Sequence, residues 1–200
     1  YYIGGTAYKI AANYEGTLNL NNEGLFYLEV FGKIAAVDID STVSNNYAYL
    51  IKAYTNSDTE ETTLRLFTKD GKEITLKTTT KIRFNGKSGQ LAEDVVKTLT
   101  DESGTLKQLV TYSTNSDGKI TALNTALDNT DTGAANENKF TMNYILTDAV
   151  FNKTLSKLGN VRIDKDTVIF DIQDDVEDYA MATIDMFEDK QKYNVTVYDM

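Results

Sequence analysis

Two hairpins closed by Asp-Gly turns constrain the fold of this chain more than any other feature. The apolar residues that alternate with polar ones around Asp70-Gly71 are Leu64, Leu66, Ile74 and Leu76. Alternation with a period of two places one set of side chains on a buried face and the other in water, as in β-strands. Asp tolerates the left-handed backbone of a tight turn and Gly adopts it readily, so the pattern predicts an antiparallel hairpin.

The same pattern recurs around Asp117-Gly118, between apolar residues at 110–112 and Ile120. Between the two hairpins, residues 91–99 carry Leu and Val at helical spacing, which predicts a short helix. Ser88 is a candidate N-cap for this helix, and acidic residues in its first turn favour the helix dipole.

These patterns predict a mainly β protein, built of small antiparallel β-barrel or sandwich units with one or two short helices. We expect residues 33–126 to form one barrel-like unit that includes the helix at 91–99. Residues 1–28 and 139–200 are predicted to form a second β-rich unit, which is therefore discontinuous in sequence. Residues 128–138 lack apolar periodicity and are predicted to be the linker. Two consecutive domains without the N-terminal contribution are the alternative.

The composition argues against several classes of function. Histidine and cysteine are absent, so the chain lacks the usual acid–base residue at neutral pH and any thiol chemistry. The formal net charge of −10 argues against nucleic acid, whose phosphates need clustered Lys and Arg. No apolar run approaches the ~20 residues of a membrane helix. We therefore expect no enzymatic activity, no nucleic-acid partner and no membrane partner.

Calcium is the one cofactor for which the sequence offers candidates. A segment at 128–133 is rich in Asp, Asn and Thr, but Thr130, Thr132 and Lys139 stand where an EF-hand needs stronger ligands. A solvated linker is the simpler interpretation, and an irregular calcium site is the alternative. The candidate ligands there are Asp128, Asp131 and Glu137.

A second acidic cluster follows the strand-like residues 168–172. Its weak calcium candidates are Asp174, Asp175 and Asp178, with Asp171 and Glu177 beside them. A carboxylate-based glycoside hydrolase is a further alternative, but it needs two carboxylates at a set separation across a sugar cleft. Since no such cleft is visible in the pattern, a charged loop is favoured.

Tyrosines on predicted strands have two interpretations. A row of them would make a sugar-binding platform, whereas strand tyrosines more often pack at the rim of a core with wet hydroxyls. We favour the core. The tyrosines concerned are Tyr47, Tyr49, Tyr54, Tyr112, Tyr193 and Tyr198.

Several strand and turn segments occur in an order that resembles a known class of surface protein. They are Gly32-Lys33-Ile34-Ala35-Ala36-Val37-Asp38, Tyr47-Ala48-Tyr49-Leu50-Ile51, Leu66-Phe67-Thr68-Lys69-Asp70-Gly71, Asn115-Ser116-Asp117-Gly118-Lys119-Ile120 after Tyr112, Asp166-Thr167-Val168-Ile169-Phe170-Asp171 and Tyr193-Asn194-Val195-Thr196-Val197-Tyr198-Asp199. In this order they resemble the non-anchoring regions of S-layer-homology (SLH) domain surface proteins of clostridia-like Gram-positive bacteria. The resemblance implies a cell-envelope protein whose wall-binding repeats are not in this chain.

We therefore expect a non-catalytic structural segment of a surface-layer or cell-wall-associated protein, located outside the cell. A glycan- or calcium-binding extracellular module is the alternative. The expected partners are other segments or copies of the same protein, with cell-wall glycan reached through domains outside this chain. The chain opens and stops within strand-like sequence, so we expect a segment of a longer protein whose export signal lies elsewhere.

Overall fold

The fold is mainly β, as the sequence predicts. A computed structural model describes residues 2–3, 6–12, 14, 25–38, 46–128 and 141–199. Contacts within the chain divide it into two compact units, Tyr1–Asn45 and Asn46–Met200.

The first unit contains two small antiparallel ladders. Its strands are β1 (Tyr2–Ile3), β2 (Thr6–Ala7), β3 (Leu25–Leu28) and β4 (Ile34–Asp38), with β1 paired to β2 and β3 paired to β4. A parallel bridge joins Ile10 to Ile34, whose side chain is completely buried. The turn between β3 and β4 presents Val30 and Phe31 to solvent, with 91% and 82% of their surfaces exposed.

The second unit holds one helix and the remaining strands. They are β5 (Tyr47–Thr55), β6 (Thr62–Thr68), β7 (Glu73–Phe84), β8 (Lys87–Leu91), α1 (Ala92–Thr98), β9 (Thr100–Asp101), β10 (Gly104–Thr105), β11 (Gln108–Thr114), β12 (Ile120–Thr125), β13 (Leu127–Asp128), β14 (Thr141–Asn152), β15 (Lys157–Leu158), β16 (Val161–Arg162), β17 (Ile169–Asp171), β18 (Ala180–Ala182) and β19 (Lys192–Asp199). Two single 3-10 turns lie at Val176–Asp178 and Ile184–Met186.

Five of these strands close into a barrel. β5, β6 and β7 form an antiparallel meander, β11 pairs antiparallel with both β5 and β12, and β12 returns parallel to β7. The closed order is therefore β5-β6-β7-β12-β11-β5, with the helix between the third and fourth strands of the barrel. A small five-stranded barrel is also the architecture of the OB-fold, a partly open Greek-key barrel. Below, "the barrel" means residues 46–126.

β5 contains a bulge and pairs with two strands, β6 and β11. Its ladder with β6 shifts register between Leu50 and Lys52, and only the first half of β5, Tyr47 to Leu50, also pairs with β11. A bulge bends a strand and increases its twist, which a small barrel needs for closure. The interior is apolar and dry: Leu50, Leu66 and Leu123 each expose 0% of their surfaces.

The two Asp-Gly hairpins form as predicted and share one turn geometry. Gly71 donates its amide to the Thr68 carbonyl at 2.9 Å, and Gly118 donates to Asn115 at 3.0 Å. Both glycines have positive φ, 70° and 74°, which completes a three-residue loop that matches strand twist. The hairpin prediction is confirmed for β6–β7 and for β11–β12.

The predicted helix at 91–99 is confirmed as α1, but its start differs from the expectation. Ser88 lies in β8 and does not cap the helix; the N-cap position is Leu91, which makes no side-chain cap hydrogen bond. Ser88 belongs to β8, which pairs with β7 in the sheet. The backbone hydrogen bonds of this pairing outweigh the single side-chain hydrogen bond of an N-cap. Burial of Val95 and Leu99 against the barrel interior stabilises the helix instead.

The strands after the barrel form a second layer, here called the C-terminal lobe (residues 141–199). β14 is its longest strand, and it pairs antiparallel with β19 over most of its length. β15 pairs with the end of β14 and then with β16, and β17 pairs with β18. A separate apolar cluster fills this lobe around Phe151, Leu158 and Phe187.

The predicted domain boundaries stay a prediction. In the structure the first strand of the barrel is β5, and β4 pairs with the adjacent β3. A local hairpin costs less loop-closure entropy than a pairing with a distant strand. Residues 129–138 of the predicted linker lie outside the described residues.

Among the described residues, no helix has both the length and the apolar character needed to cross a membrane.

Candidate functional site: the aromatic face of the barrel

The outer face of β5 and β6 carries a cluster of aromatic and aliphatic side chains. Tyr49 and Phe67 are direct cross-strand partners, so their side chains emerge side by side on the same face. Ile51 lies in the β5 bulge beside them. Phe67 and Ile51 expose only 4% and 6% of their surfaces although they lie on the outside of the barrel.

The side chains that cover this face come from the C-terminal lobe. The Tyr179 ring meets Tyr49 and Phe67 edge-to-face, with each centroid distance 5.8 Å. Phe170 meets Phe67 in the same way at 6.1 Å. Edge-to-face pairs at these distances add about 0.5–1.5 kcal/mol to the free energy of burial. The apolar residues packed around these rings are Ile172, Val176 and Met181.

We call this contact the aromatic seam, meaning Tyr49, Ile51 and Phe67 with Phe170 and Tyr179. Its segments are held from both sides: Phe170 lies in β17, and Tyr179 follows a 3-10 turn and precedes β18. Pairing of Phe170 with Met181 across β17 and β18 fixes the distance between the two covering segments. The seam is therefore built by one hairpin of the C-terminal lobe resting on one hairpin of the barrel.

Burial dominates the electrostatics of the seam. It raises the pKa of Tyr49 to about 12, and the neighbouring Tyr179 and Tyr198 hydroxyls contribute in the same direction. The Tyr179 hydroxyl is fully buried and has no hydrogen-bond partner within the described part of the chain. A buried hydroxyl without a partner costs roughly 1–3 kcal/mol, so the seam carries one polar defect.

The aromatic seam covers part of the outer surface of the barrel. OB barrels bind oligonucleotides and oligosaccharides across the face of their second and third strands and the adjacent loops. The second and third strands of this barrel are β6 and β7, and on β6 Phe170 and Tyr179 cover Phe67. The face therefore works as an internal joint between the barrel and the C-terminal lobe.

The acidic cluster of the sequence lies on the outside of this joint. Asp174, Asp175 and Asp178 are exposed, whereas Val176 between them packs into the seam. Asp171 accepts a hydrogen bond from the Gln173 amide at 2.6 Å. The structure thus explains the cluster as a turn that one apolar residue anchors and whose carboxylates face solvent.

The calcium candidates are not brought together within the described residues. No group of three or more Asp or Glu side chains placed to hold a metal occurs in the described ranges. Asp131 and Glu137 lie outside those ranges, and for Asp128 only the backbone, in β13, is described.

The strand tyrosines are dispersed over different environments. Tyr112 is buried in the barrel interior, and burial raises its pKa. Tyr193 accepts a hydrogen bond from the Glu188 amide at 2.8 Å in the C-terminal lobe. Tyr54 is exposed, with the Lys52 ammonium 5.4 Å from its ring centroid. Tyr49, by contrast, packs in the aromatic face, where its ring meets Tyr179.

No sequence pattern identifies Phe67, Phe170 and Tyr179 as members of one site. Phe67 lies far from the other two in sequence, and no spacing rule joins it to them. The alternation around Phe67 offered one clue. Leu64 and Leu66 take the inner face, so an apolar Phe67 on the outer face needs a cover.

No protein-family model, no curated protein and no solved structure matches this chain.

Proposed function

We propose that this chain is a non-catalytic structural segment of a bacterial surface-layer or cell-wall-associated protein. The observation that carries the proposal is the aromatic seam. It fills an outer face of the barrel with the chain's own side chains and joins two β layers through apolar contact. Such a joint is typical of a load-bearing spacer, because the relative orientation of the layers is held by packing.

The mechanics of the spacer follow from the contacts. In the closed ring of the barrel, each strand is paired with a neighbour on both sides. The interior is filled by packed aliphatic side chains. The C-terminal lobe is fixed to the barrel twice, by the seam and by the direct continuation of β12 into β13, which pairs with β14. The two attachments together resist both bending and rotation.

The distribution of charge supports an extracellular role. Residues 46–128, the barrel with β13, carry eleven basic and eleven acidic residues, whereas residues 141–199 carry six basic and twelve acidic residues. Negative charge is therefore concentrated on the C-terminal lobe, where it keeps the protein soluble and disfavours contact between copies at low ionic strength. Partner segments of the same surface protein meet a nearly neutral barrel and an acidic lobe.

Localisation of the full-length protein tests this proposal. We expect the protein in the cell-envelope fraction, and we expect protease added to intact cells to remove it. A cytoplasmic protein without an exported precursor would contradict the assignment.

Calcium bridging between acidic loops is a further part of the proposal, since it would neutralise the C-terminal lobe. The measurement is the melting temperature in calcium, in magnesium and in chelator. A rise specific to calcium supports bridging or intramolecular binding, and identical curves remove calcium from the proposal.

The barrel class favours oligosaccharide binding as a second candidate function. In that case the parts of the barrel outside the seam, including the exposed Tyr54, would contact cell-wall glycan. Titration of the chain with cell-wall oligosaccharides, followed by amide chemical shifts, distinguishes the candidates. Shifts clustered on β5–β7 favour binding, and unchanged spectra favour the spacer.

A further inference from the structure

Strand β19 forms an edge of the C-terminal lobe. Its ladder with β14 runs from Lys192 opposite Val150 to Asp199 opposite Thr141. Within the described part of the chain, residues 193–197 pair with no strand other than β14. Tyr193 and Val195 point toward the apolar cluster of the lobe but are only partly buried. A further strand beside β19 would complete their burial.

Between its terminal residues Lys192 and Asp199, this edge has no charged residue, and the two bulges of its ladder lie in β14 rather than in β19. Proteins discourage edge-to-edge pairing with Lys, Pro, bulges or very short strands. Between Lys192 and Asp199, β19 has six uncharged residues, Tyr-Asn-Val-Thr-Val-Tyr, without Pro, Gly or positive φ. β-branched and aromatic residues of this kind favour strand pairing.

The edge strand of the barrel provides the contrast. β8 pairs only with β7 among the described strands, and it begins at Lys87 and contains Gly89 with φ of 76°. The irregular backbone at Gly89 opposes further pairing along β8. β19 has no positive-φ residue among its described residues, so the two edges differ in backbone regularity.

The sequence of β19 is complementary to itself in one antiparallel register. With Val195 opposite Val195 of the partner subunit, Tyr193 lies opposite Val197 of the partner subunit. Asn194 then lies opposite Thr196 of the partner subunit. In this register, residues that face each other across the interface have numbers that differ by an even amount. Side chains alternate along a strand with a period of two, so the apolar clusters of both copies lie on the same side of the joined sheet. It places no like charges opposite each other.

We propose that β19 is a self-association site, at which a second copy of this chain adds its own β19 antiparallel and extends the sheet across a two-fold axis. The proposal rests on the proposed structural function and names the partner surface that such a function needs. The interface is isologous, so each copy offers the same strand. Main-chain hydrogen bonds supply the affinity and the alternating side chains set the register.

The acidic C-terminal lobe sets the conditions for this contact. Like charges on the two lobes repel each other, and salt screens them over a Debye length of about 10 Å at 0.1 M. Self-association is therefore weak at low ionic strength and strengthens as salt is added. A salt bridge across the interface would give the opposite dependence.

Disulfide trapping tests the register, since the natural chain contains no cysteine. Chains with Asn194→Cys and chains with Thr196→Cys are mixed in equal amounts in a thiol–disulfide buffer. Residues directly opposite in a ladder have Cβ atoms about 4.5–5.5 Å apart, close to disulfide range. We expect mixed dimers well above the half that random pairing produces. A random ratio, or an excess of either homodimer, would overturn the proposal.

Charge substitutions test the affinity without cysteine. Asn194→Asp with Thr196→Asp puts like charges opposite each other, and we expect at least tenfold weaker self-association by sedimentation velocity. Asn194→Asp with Thr196→Lys makes the opposed pairs complementary and should retain association. Ser88→Asp with Gln90→Asp adds the same charge to the exposed β8 edge and should leave association within about twofold of wild type.

The outcomes separate this proposal from the structural function. A chain that reaches the cell envelope but shows equal association for all three charge variants refutes the β19 contact alone. A chain found in the cytoplasm refutes the surface function whatever its association behaviour.

Discussion

At the scale of single residues, one buried hydroxyl distinguishes the aromatic seam from an ordinary apolar core. The Tyr179 ring is packed on Tyr49 and Phe67, yet its hydroxyl has no partner within the described residues. The ring therefore stabilises the seam and the hydroxyl opposes it. Removing the hydroxyl of Tyr179 and that of Tyr193 compares an unpaired buried hydroxyl with a hydrogen-bonded one.

We expect Tyr179→Phe to raise the free energy of unfolding by about 1 kcal/mol, because it removes an unpaired buried polar group. Tyr193→Phe is the matched control, since the Tyr193 hydroxyl accepts a hydrogen bond from the Glu188 amide at 2.8 Å. Loss of this hydrogen bond should lower the free energy of unfolding by roughly 0.5–1.5 kcal/mol. Urea denaturation measures both values. Equal effects of the two substitutions would contradict the assignment of an unpaired hydroxyl.

The Tyr49 hydroxyl leads to a pH-dependent prediction. Its pKa is raised from 10.0 to about 12 in the folded chain, first of all by burial. A group with a raised folded pKa stabilises the fold fully below its unfolded pKa, and this contribution is lost as the pH rises through the folded value. We therefore expect the free energy of unfolding to fall between pH 10 and pH 12.

Tyr49→Phe isolates this contribution. The decrease in stability above pH 10 should become shallower in the variant, while Tyr112 and Tyr198, whose pKa values burial also raises, still contribute. Chemical denaturation at a series of pH values gives the curves. Parallel curves for the variant and the wild type would exclude Tyr49 as a titrating group.

At the scale of elements, α1 shows how a helix of seven residues persists next to a barrel. It is too short to be stable alone, and it lacks a side-chain N-cap. Its buried residues, Ala92, Val95 and Val96, and the following Leu99 pack into the barrel core. Tertiary burial therefore stabilises a helix that local capping does not.

Leu91 and Leu99 mark the two ends of the predicted helix but differ in burial, with 38% and 1% of their surfaces exposed. We expect Leu99→Ala to cost about 2–5 kcal/mol through lost contact and a residual cavity. Leu91→Ala, in β8, should cost less than about 1 kcal/mol. Thermal unfolding of the two variants provides the comparison. A larger cost at Leu91 would mean that the helix begins earlier than the structure places it.

At the scale of the whole second unit, the seam couples the barrel to the C-terminal lobe. Each of the two has its own apolar cluster, and a third cluster lies between them. Separate cores allow independent unfolding, and the shared cluster opposes it. The extent of coupling is therefore a property of the seam residues rather than of either core.

We expect Phe170→Ala to split calorimetric unfolding of the unit into two transitions, with the C-terminal lobe unfolding first. Loss of a partly buried phenyl ring should weaken the coupling by roughly 2 kcal/mol. Tyr54→Ala removes an exposed aromatic from β5, the strand that carries Tyr49, and should leave the profile unchanged. If both variants keep the wild-type profile, the seam does not couple the two layers.

Local patterns in the sequence account for the separate elements of this protein. The mainly β class, the Asp-Gly hairpins and the helix at 91–99 each depend on residues within about fifteen positions of one another. Alternation, turn chemistry and helical spacing act over that range, so their patterns can be read without knowledge of distant contacts.

Closure of the barrel and burial of its aromatic face depend on contacts between distant parts of the chain, which no local pattern shows. The parallel pairing of β12 with β7 brings Leu123 to Phe84, and the seam brings Phe170 to Phe67, across wide separations in sequence. Both depend on which of many compatible apolar strands meet, and that choice follows from total burial and loop closure rather than from any local pattern. The outward Phe67 required a cover, and only the folded chain shows that Tyr179 and Phe170 provide it.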